Sequence, residues 1–472
     1  MSAPEIGSPP KRRSLMRSRL RWIVLGAAVG GLLLVALYRK DELLRVIGFT
    51  PPSPHDEILE AHRRQQQAGR ADLAPIELAN DRPVDCPGYR GRLRDGVVTG
   101  PPLARDWKAR PPRLLWRQPV GGGFAAVAVV GNVAVTIEQR RNQEAVVCYD
   151  TATGQERWAY PYAASFRSGQ SDAGPRATPT IEGEDVYSLG AAGRLVCLEV
   201  ATGRPKWSVE ILKGNKNLIW GMSGSPLVYD QLVVVNPGAQ VGAAAGGSLV
   251  AYDRSTGQVA WQAGTTQAGY SSPMLATLSG RRQVLLLDAA QLAGYDAATG
   301  SQLWQFPWNT QQGINVAQPL VLDGDRIFIS SGYSVGCALV HVAETGGRWT
   351  AEAVWQNTAM HCKFTSPVAY QGFVYGLDEG ILVCVDVQTG KRQWKAGRYG
   401  HGQLLRTDDL LLVLAESGEL VLVEATPKGH HELGRIQALE GRTWNPPVLV
   451  DGKAYLRNDA VMACYDLSAD PI

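Results

Sequence analysis

Short apolar runs, each broken by Gly, Asp or Pro, dominate the chain from about residue 107 onward. Ala145-Val146-Val147-Cys148-Tyr149, Leu195-Val196-Cys197-Leu198, Leu249-Val250-Ala251-Tyr252 and Leu382-Val383-Cys384-Val385 are four of them. Each is the length of a buried strand and stops at a turn former. The polar phrase that follows is the same each time. At its fullest it reads Asp-x-x-Thr-Gly-x-x-x-Trp, from Asp150 to Trp158, Glu199 to Trp207, Asp253 to Trp261, Asp296 to Trp304 and Asp386 to Trp394. A degraded copy precedes Trp355, and Glu424-Ala425-Thr426-Pro427 has lost its Trp. The acid accepts hydrogen bonds from backbone two residues on, and Gly supplies a positive φ, so the phrase predicts a hairpin turn. The returning strand begins on Trp, which predicts that Trp158, Trp207, Trp261, Trp304 and Trp394 are structural anchors that dock one unit on the next.

A second phrase alternates with the first: Ser, Thr or Gln, then Pro, an apolar run, and a Gly or Asp turn. Copies start at Thr178-Pro179, Ser225-Pro226, Ser272-Pro273, Gln318-Pro319, Ser366-Pro367 and Pro446-Pro447. Proline at the start of a strand removes a donor the ladder does not yet need. Two hairpins per period give four strands, which is one propeller blade. Trp116, Trp158, Trp207, Trp261, Trp304, Trp355 and Trp394 recur 39 to 54 residues apart. The last unit stops at Cys464-Tyr465-Asp466, one strand short, and Leu114-Leu115-Trp116-Arg117 is available to complete it. The expectation is an all-β, eight-bladed β-propeller over residues 107–467, closed by terminal strands that share one blade and leave no open edge.

The N-terminus follows a different pattern. Residues 22–38 carry no charge and are mostly apolar, the lower end of a membrane span, with Trp22 and Tyr38 at its two edges. Six basic residues and one acid precede it. The positive-inside rule then predicts a cytoplasmic tail (1–21), a transmembrane signal anchor (22–38) and an exported propeller on the periplasmic side of the cytoplasmic membrane. The rival reading is a cleaved signal peptide, but Ala36-Leu37-Tyr38-Arg39 is a poor small-x-small site. Residues 39–106 read as a stalk. Ser53-Pro54-His55-Asp56 predicts the start of a short polar helix through Gln67. The Pro-, Gly- and Arg-rich stretch 75–112 reads as extended, lying across the propeller surface.

Composition narrows the chemistry. The chain has 472 residues, 45% of them apolar, with 52 Gly and 13 Trp. A net charge of +3 does not argue for nucleic acid. Of seven cysteines, Cys148, Cys197, Cys384 and Cys464 occupy one small strand position in different blades, which excludes a shared metal site. Cys337 and Cys362 lie in adjacent units and leave a disulfide open, which an exported location would permit. No nucleophile–base set, His/Cys metal spacing or phosphate-cradling loop is present, so no catalytic residue is named. The segments that lead into the innermost strands offer Arg176, Trp220, Asn315, Lys363, His401, Arg442, Trp444 and Asn445. That ring is cationic and aromatic. It predicts a channel mouth that attracts an anionic ligand or an acidic partner surface.

The Asp-x-x-Thr-Gly-x-x-x-Trp repeat resembles the tryptophan-docking motif of the quinoprotein-dehydrogenase-like propellers, the PQQ repeat family. The resemblance covers roughly residues 107–467. One branch, the alcohol and glucose dehydrogenases, holds pyrroloquinoline quinone with Ca²⁺ at the channel mouth. Another, typified by BamB, has eight blades, no cofactor and a scaffolding role. Segments like Gly88-Tyr89-Arg90-Gly91 precede the propeller in related bacterial repeat proteins. The dehydrogenases carry adjacent cysteines and carboxylate ligands for Ca²⁺, and neither is found here. The resemblance therefore implies a BamB-like scaffold without cofactor, with protein partners in the periplasm or envelope; there is no lipobox cysteine, and the span 22–38 replaces a lipid anchor as the membrane tether. A PQQ-dependent oxidoreductase and an anionic-ligand sensor are the alternatives.

Overall fold

The computed structural model describes residues 53–67, 73–78, 82–168, 173–213, 217–239 and 247–469. The basic tail and the candidate span 22–38 lie outside them. Among the described residues no helix is long and apolar enough to cross a membrane.

Eight antiparallel sheets form the blades, over residues 128–162, 180–210, 227–263, 274–307, 320–357, 368–398, 403–437 and 448–466. The eighth is completed by the strand Arg113–Pro119, which pairs antiparallel with Val461–Asp466. The first strands of blades 8 and 1 are neighbours, so the ring closes as the sequence implies. A helix, Pro54–Gln67, lies over that seam. Ser53 and Asp56 cap it reciprocally, with Ser53 N donating to Asp56 at 2.8 Å and Asp56 N to Ser53 Oγ at 3.1 Å. Its Gln66 donates to Gln118 of the closing strand at 3.2 Å, and Arg63 pairs with Glu156 of blade 1 at 2.7 Å.

Both repeated phrases have a physical role. In the first, Asp150 Oδ1 accepts from Ala152 N, Thr153 N and Thr153 Oγ1 at 2.9–3.0 Å, and Asp253, Asp296 and Asp386 repeat the arrangement with their own Thr. The motif glycine sits under the Trp of the preceding blade. A Cβ on Gly203 would fall 2.6 Å from the Trp158 ring, and one on Gly300 2.5 Å from the Trp261 ring. The indole N–H then reaches across the same interface. Trp158 donates to Val200 O at 2.7 Å, Trp207 to Arg254 O at 2.8 Å and Trp394 to Thr426 O at 2.9 Å.

Two anchors depart from that pattern. The Trp304 indole donates to Gln283 of its own blade at 2.7 Å. Blade 5 has no Asp-x-x-Thr-Gly turn to receive it, because Gly336–Thr345 and Arg348–Asn357 form a long hairpin there instead. The Trp261 N–H has no partner among the described residues, and Tyr229 Oη donates to the equivalent carbonyl, Ala297 O, at 2.7 Å. Blade 7, whose phrase lacks a Trp, is served by Trp107 from the N-terminal segment. That ring is 4% exposed among residues of blades 7 and 8, and Gly434 makes room for it.

The second phrase links the innermost strands around the channel. Ala126 N donates to Thr178 Oγ1, Thr178 N to Ser225 Oγ, Ser225 N to Ser272 Oγ, Ser272 N to Gln318 Oε1 and Gln318 N to Ser366 Oγ, all at 2.9–3.2 Å. The five residues before proline from Thr178 to Ser366 therefore each accept from the preceding blade. Carbonyls on the inner edge of these strands, such as Ser225 O, Pro226 O and Leu404 O, face the channel with no strand beyond to pair them.

Those carbonyls explain the main correction to the sequence reading. Residues 82–98 do not simply lie across the propeller surface. They plug the channel, with Arg90 and Arg94 buried in it and Arg92 and Leu93 left exposed. Cys86 and Val129 of blade 1 exchange backbone bonds at 3.0 and 2.7 Å, and Ile181 N of blade 2 donates to Pro87 O at 2.7 Å. Arg94 donates to Ser225 O (2.9 Å), Pro226 O and Pro273 O (2.8 Å) of blades 3 and 4. Arg90 donates to Pro367 O (2.7 Å) and Leu404 O (3.1 Å) of blades 6 and 7. Val97–Val98 then pairs in parallel with Arg406 and Thr407, giving blade 7 a fifth strand. Both arginines are buried and have positive φ, 60° and 59°. Burial lowers both guanidinium pKa values, that of Arg94 to about 9, so Arg94 remains cationic near neutrality. Among the described residues no carboxylate accepts from either; their partners are backbone oxygens.

Candidate functional site

At one end the plug stops short of the channel mouth and leaves a cup of about 460 Å³. Tyr89 of the plug is among its lining residues, its hydroxyl 3.3 Å from Ser366 Oγ. The walls come from the segments that lead into each innermost strand, as the sequence predicts. Trp220 packs on Tyr270 with ring centroids 5.3 Å apart. Opposite, Trp444 packs on Phe124 at 5.4 Å and Phe364 at 5.3 Å. The guanidinium of Arg176 lies 4.7 Å from the Phe166 ring centroid and 5.3 Å from that of Phe124. Lys363 Nζ lies 5.1 Å from the Tyr333 centroid and 6.0 Å from that of Phe364. Both geometries are within cation–π range.

Of the eight predicted mouth residues, Arg176, Trp220, Lys363 and Trp444 line the cup. His401 and Arg442 stand behind its wall. The His401 ring is 4.9 Å from Phe364, and its backbone N–H donates to Glu416, which also accepts from Trp444 Nε1 at 2.8 Å. Arg442 stacks on Trp444 at 4.4 Å. Asn315 and Asn445 are fully buried brackets instead. Asn315 Nδ2 donates to Asp288 O at 2.8 Å and Trp308 O at 3.2 Å, and Asn445 Nδ2 to Gly123 O at 3.1 Å and Ala125 O at 2.9 Å. Asparagine amides tie loop backbone at these positions because the mouth loops have no strand to pair with. Tyr89, Phe124, Tyr333 and Phe364 were not anticipated. The first comes from the plug, and the others are single aromatics outside any repeated phrase.

The electrostatics of the cup favour anions. None of the described residues lining it is a carboxylate. Burial lowers the Arg176 pKa to about 10, so it remains cationic at neutral pH. Behind it, burial raises the pKa of Glu144, whose carboxyl accepts from Tyr162 Oη at 2.8 Å and Ala191 N at 3.0 Å. Lys363 has a long 3.9 Å contact with Glu379. Ca²⁺ takes six to eight oxygen ligands, carboxylates foremost. Among the described residues no group of three His, Cys, Asp or Glu side chains converges to hold a metal. The lining donors, Arg, Lys, amides and hydroxyls, do not fit that ion. All seven cysteines are free and buried, Cys337 and Cys362 included, and burial pushes the thiols of those two up to about 12.

Comparison with known proteins agrees with the architecture. The chain is 27% identical over 311 residues to the outer membrane protein assembly factor BamB of Burkholderia pseudomallei (strain K96243), covering 62% of this chain and 61% of that protein. It is 33% identical over 121 residues to the quinohemoprotein alcohol dehydrogenase ADH IIB of Pseudomonas putida, but spans only 17% of that enzyme. Among solved structures, BamB from Moraxella catarrhalis superposes with a TM-score of 0.56 at 16% identity, covering 76% of this chain and 99% of that one. Quinohemoprotein alcohol dehydrogenase from Comamonas testosteroni does so with 0.58 at 14% identity, covering 89% and 85%. These superpositions establish a shared fold. The family model described as outer membrane protein assembly factor BamB matches residues 105–219 and 143–396, more than half of the sequence, and the chain belongs to that family.

Proposed function

We propose that the protein is a binding scaffold of the BamB type, held at the extracytoplasmic face of the cytoplasmic membrane by residues 22–38, and that its partners are proteins of the periplasm or envelope. The observation that carries this reading is the cup itself. It is blind, aromatic and cationic, and its described lining combines no nucleophile with a base and no ligand set for a metal. Such a surface can hold a partner group without transforming it. Export through 22–38 would place it where envelope proteins are met. The test is a photo-crosslinking amino acid placed singly at Ile219, beside the cup, and at Val354, on an outer strand, in intact cells. Discrete protein adducts from membrane-associated material are expected. Absence of protein adducts from both positions would overturn the scaffold reading.

A second reading rests on the fold shared with quinohemoprotein alcohol dehydrogenase. Incubation with pyrroloquinoline quinone and Ca²⁺, followed by dye-linked alcohol or sugar oxidation, separates the two. The scaffold account predicts no turnover above the dye background. Sustained turnover would make the protein an oxidoreductase.

A further inference from the structure

The cup raises a chemical question that its aromatic lining does not settle alone. Aromatic cups commonly take cations, because the ring faces are electron-rich. Here several of those faces are already taken. Arg176 lies over Phe124, and Lys363 lies over Tyr333 and Phe364. An incoming cation would meet two fixed positive charges, whereas a carboxylate would be drawn to them. The remaining aromatic surface, Trp220 with Tyr270, still offers an apolar platform.

The shape limits the occupant further. The plug closes the channel beneath the cup, so a ligand enters from one side. Ile219, adjacent to Trp220, is 60% exposed. A small molecule sunk in the cup would leave that apolar side chain bare. A chain that continues out of the cup would cover it. Gln311, Gln312 and Gln403 also line the cup and can bond the backbone amides of such a chain.

From this geometry we propose that the cup receives an extended segment of a protein partner in which an aromatic side chain is flanked by Asp or Glu. The aromatic ring inserts toward Tyr89 against Trp220, and the flanking carboxylates face Lys363 and Arg176. The proposal rests on the scaffold reading and specifies the chemistry of one partner segment.

The test uses the full chain in detergent and fluorescein-labelled peptides read by anisotropy. The probe is Glu-Asp-Trp-Asp-Glu. Its controls are the same peptide with every acid replaced by Lys, and the same peptide with Trp replaced by Ala. The acidic Trp peptide is expected to bind with an affinity that falls as salt rises, and both controls to bind at least about tenfold more weakly. Lys363→Glu and Trp220→Ala are each expected to weaken the acidic Trp peptide by about tenfold or more. Thermal unfolding confirms that each variant is folded, and Lys363→Gln replaces Lys363→Glu if that variant is not. No binding of the acidic Trp peptide, equal binding of either control, or affinity unchanged by the substitutions would overturn the proposal. The crosslinks at Val354 separate this failure from the broader one. If they persist in Lys363→Glu while the peptide data fail, the scaffold reading stands and the cup is not its docking site.

Discussion

Replacing Arg94 by Met is expected to destabilise the propeller by about 3 kcal/mol, seen as a lower urea midpoint in tryptophan fluorescence. Met preserves much of the side-chain volume and removes the fork. Three carbonyls, Ser225 O, Pro226 O and Pro273 O, then lose their donor inside a filled channel. Each unsatisfied buried acceptor costs roughly 1–3 kcal/mol. Relief from burying a charge, and water entering the gap, offset part of that sum. Arg94→Lys should recover only a fraction. A lysine ammonium carries its donors on one atom, whereas the guanidinium spans two blades with two nitrogens. A midpoint unchanged in Arg94→Met would mean that the plug adds nothing to the ring.

Trp158→Ala should cost about 3–5 kcal/mol, in the range for emptying a buried aromatic site. The ring is 8% exposed between blades 1 and 2, covers Gly203 and bonds Val200 O. Its loss opens a cavity and frees a carbonyl at one interface. Trp261→Phe is the informative contrast. The Trp261 N–H has no partner, so Phe should cost less there than at Trp158, where a hydrogen bond is also lost. Urea unfolding of Trp158→Phe and Trp261→Phe beside the unaltered protein measures this. Equal losses for Trp158→Phe and Trp261→Phe would contradict the docking role assigned to the indole N–H.

The repeat phrases made blades, blade number and ring closure legible because each encodes a local rule. Asp accepts from its own turn, Gly takes a positive φ, and a strand of fixed length follows. The Trp anchors were legible for the same reason, except where the partner turn was missing, as for Trp304. The plug was not legible. Its arginines bond to backbone carbonyls, and a carbonyl has no residue type to recognise in a sequence. Gly88-Tyr89-Arg90-Gly91 stood out as a segment preceding the propeller, yet nothing in it says that the channel is lined with unpaired carbonyls. That follows only from knowing that eight innermost strands face one another. The cup was half legible. Arg176, Trp220, Lys363 and Trp444 were found because each of their loops precedes a Pro-led strand. Asn315 and Asn445 occupy equivalent positions in sequence, but amides that can bracket loop backbone turn inward to do so.

The central structural claim is that the chain's own residues 82–98 plug the channel and bind the innermost strands together. Native-state hydrogen exchange of the amides of Val129, Ile181 and Arg406 tests it most directly. Their acceptors are Cys86 O, Pro87 O and Gly96 O, at 2.7, 2.7 and 2.8 Å. The plug account predicts slow exchange at all three, comparable to the central strands, with joint loss of protection in Arg94→Met. Fast exchange at all three beside protected central strands would contradict it, and would return this segment to the outside of the propeller.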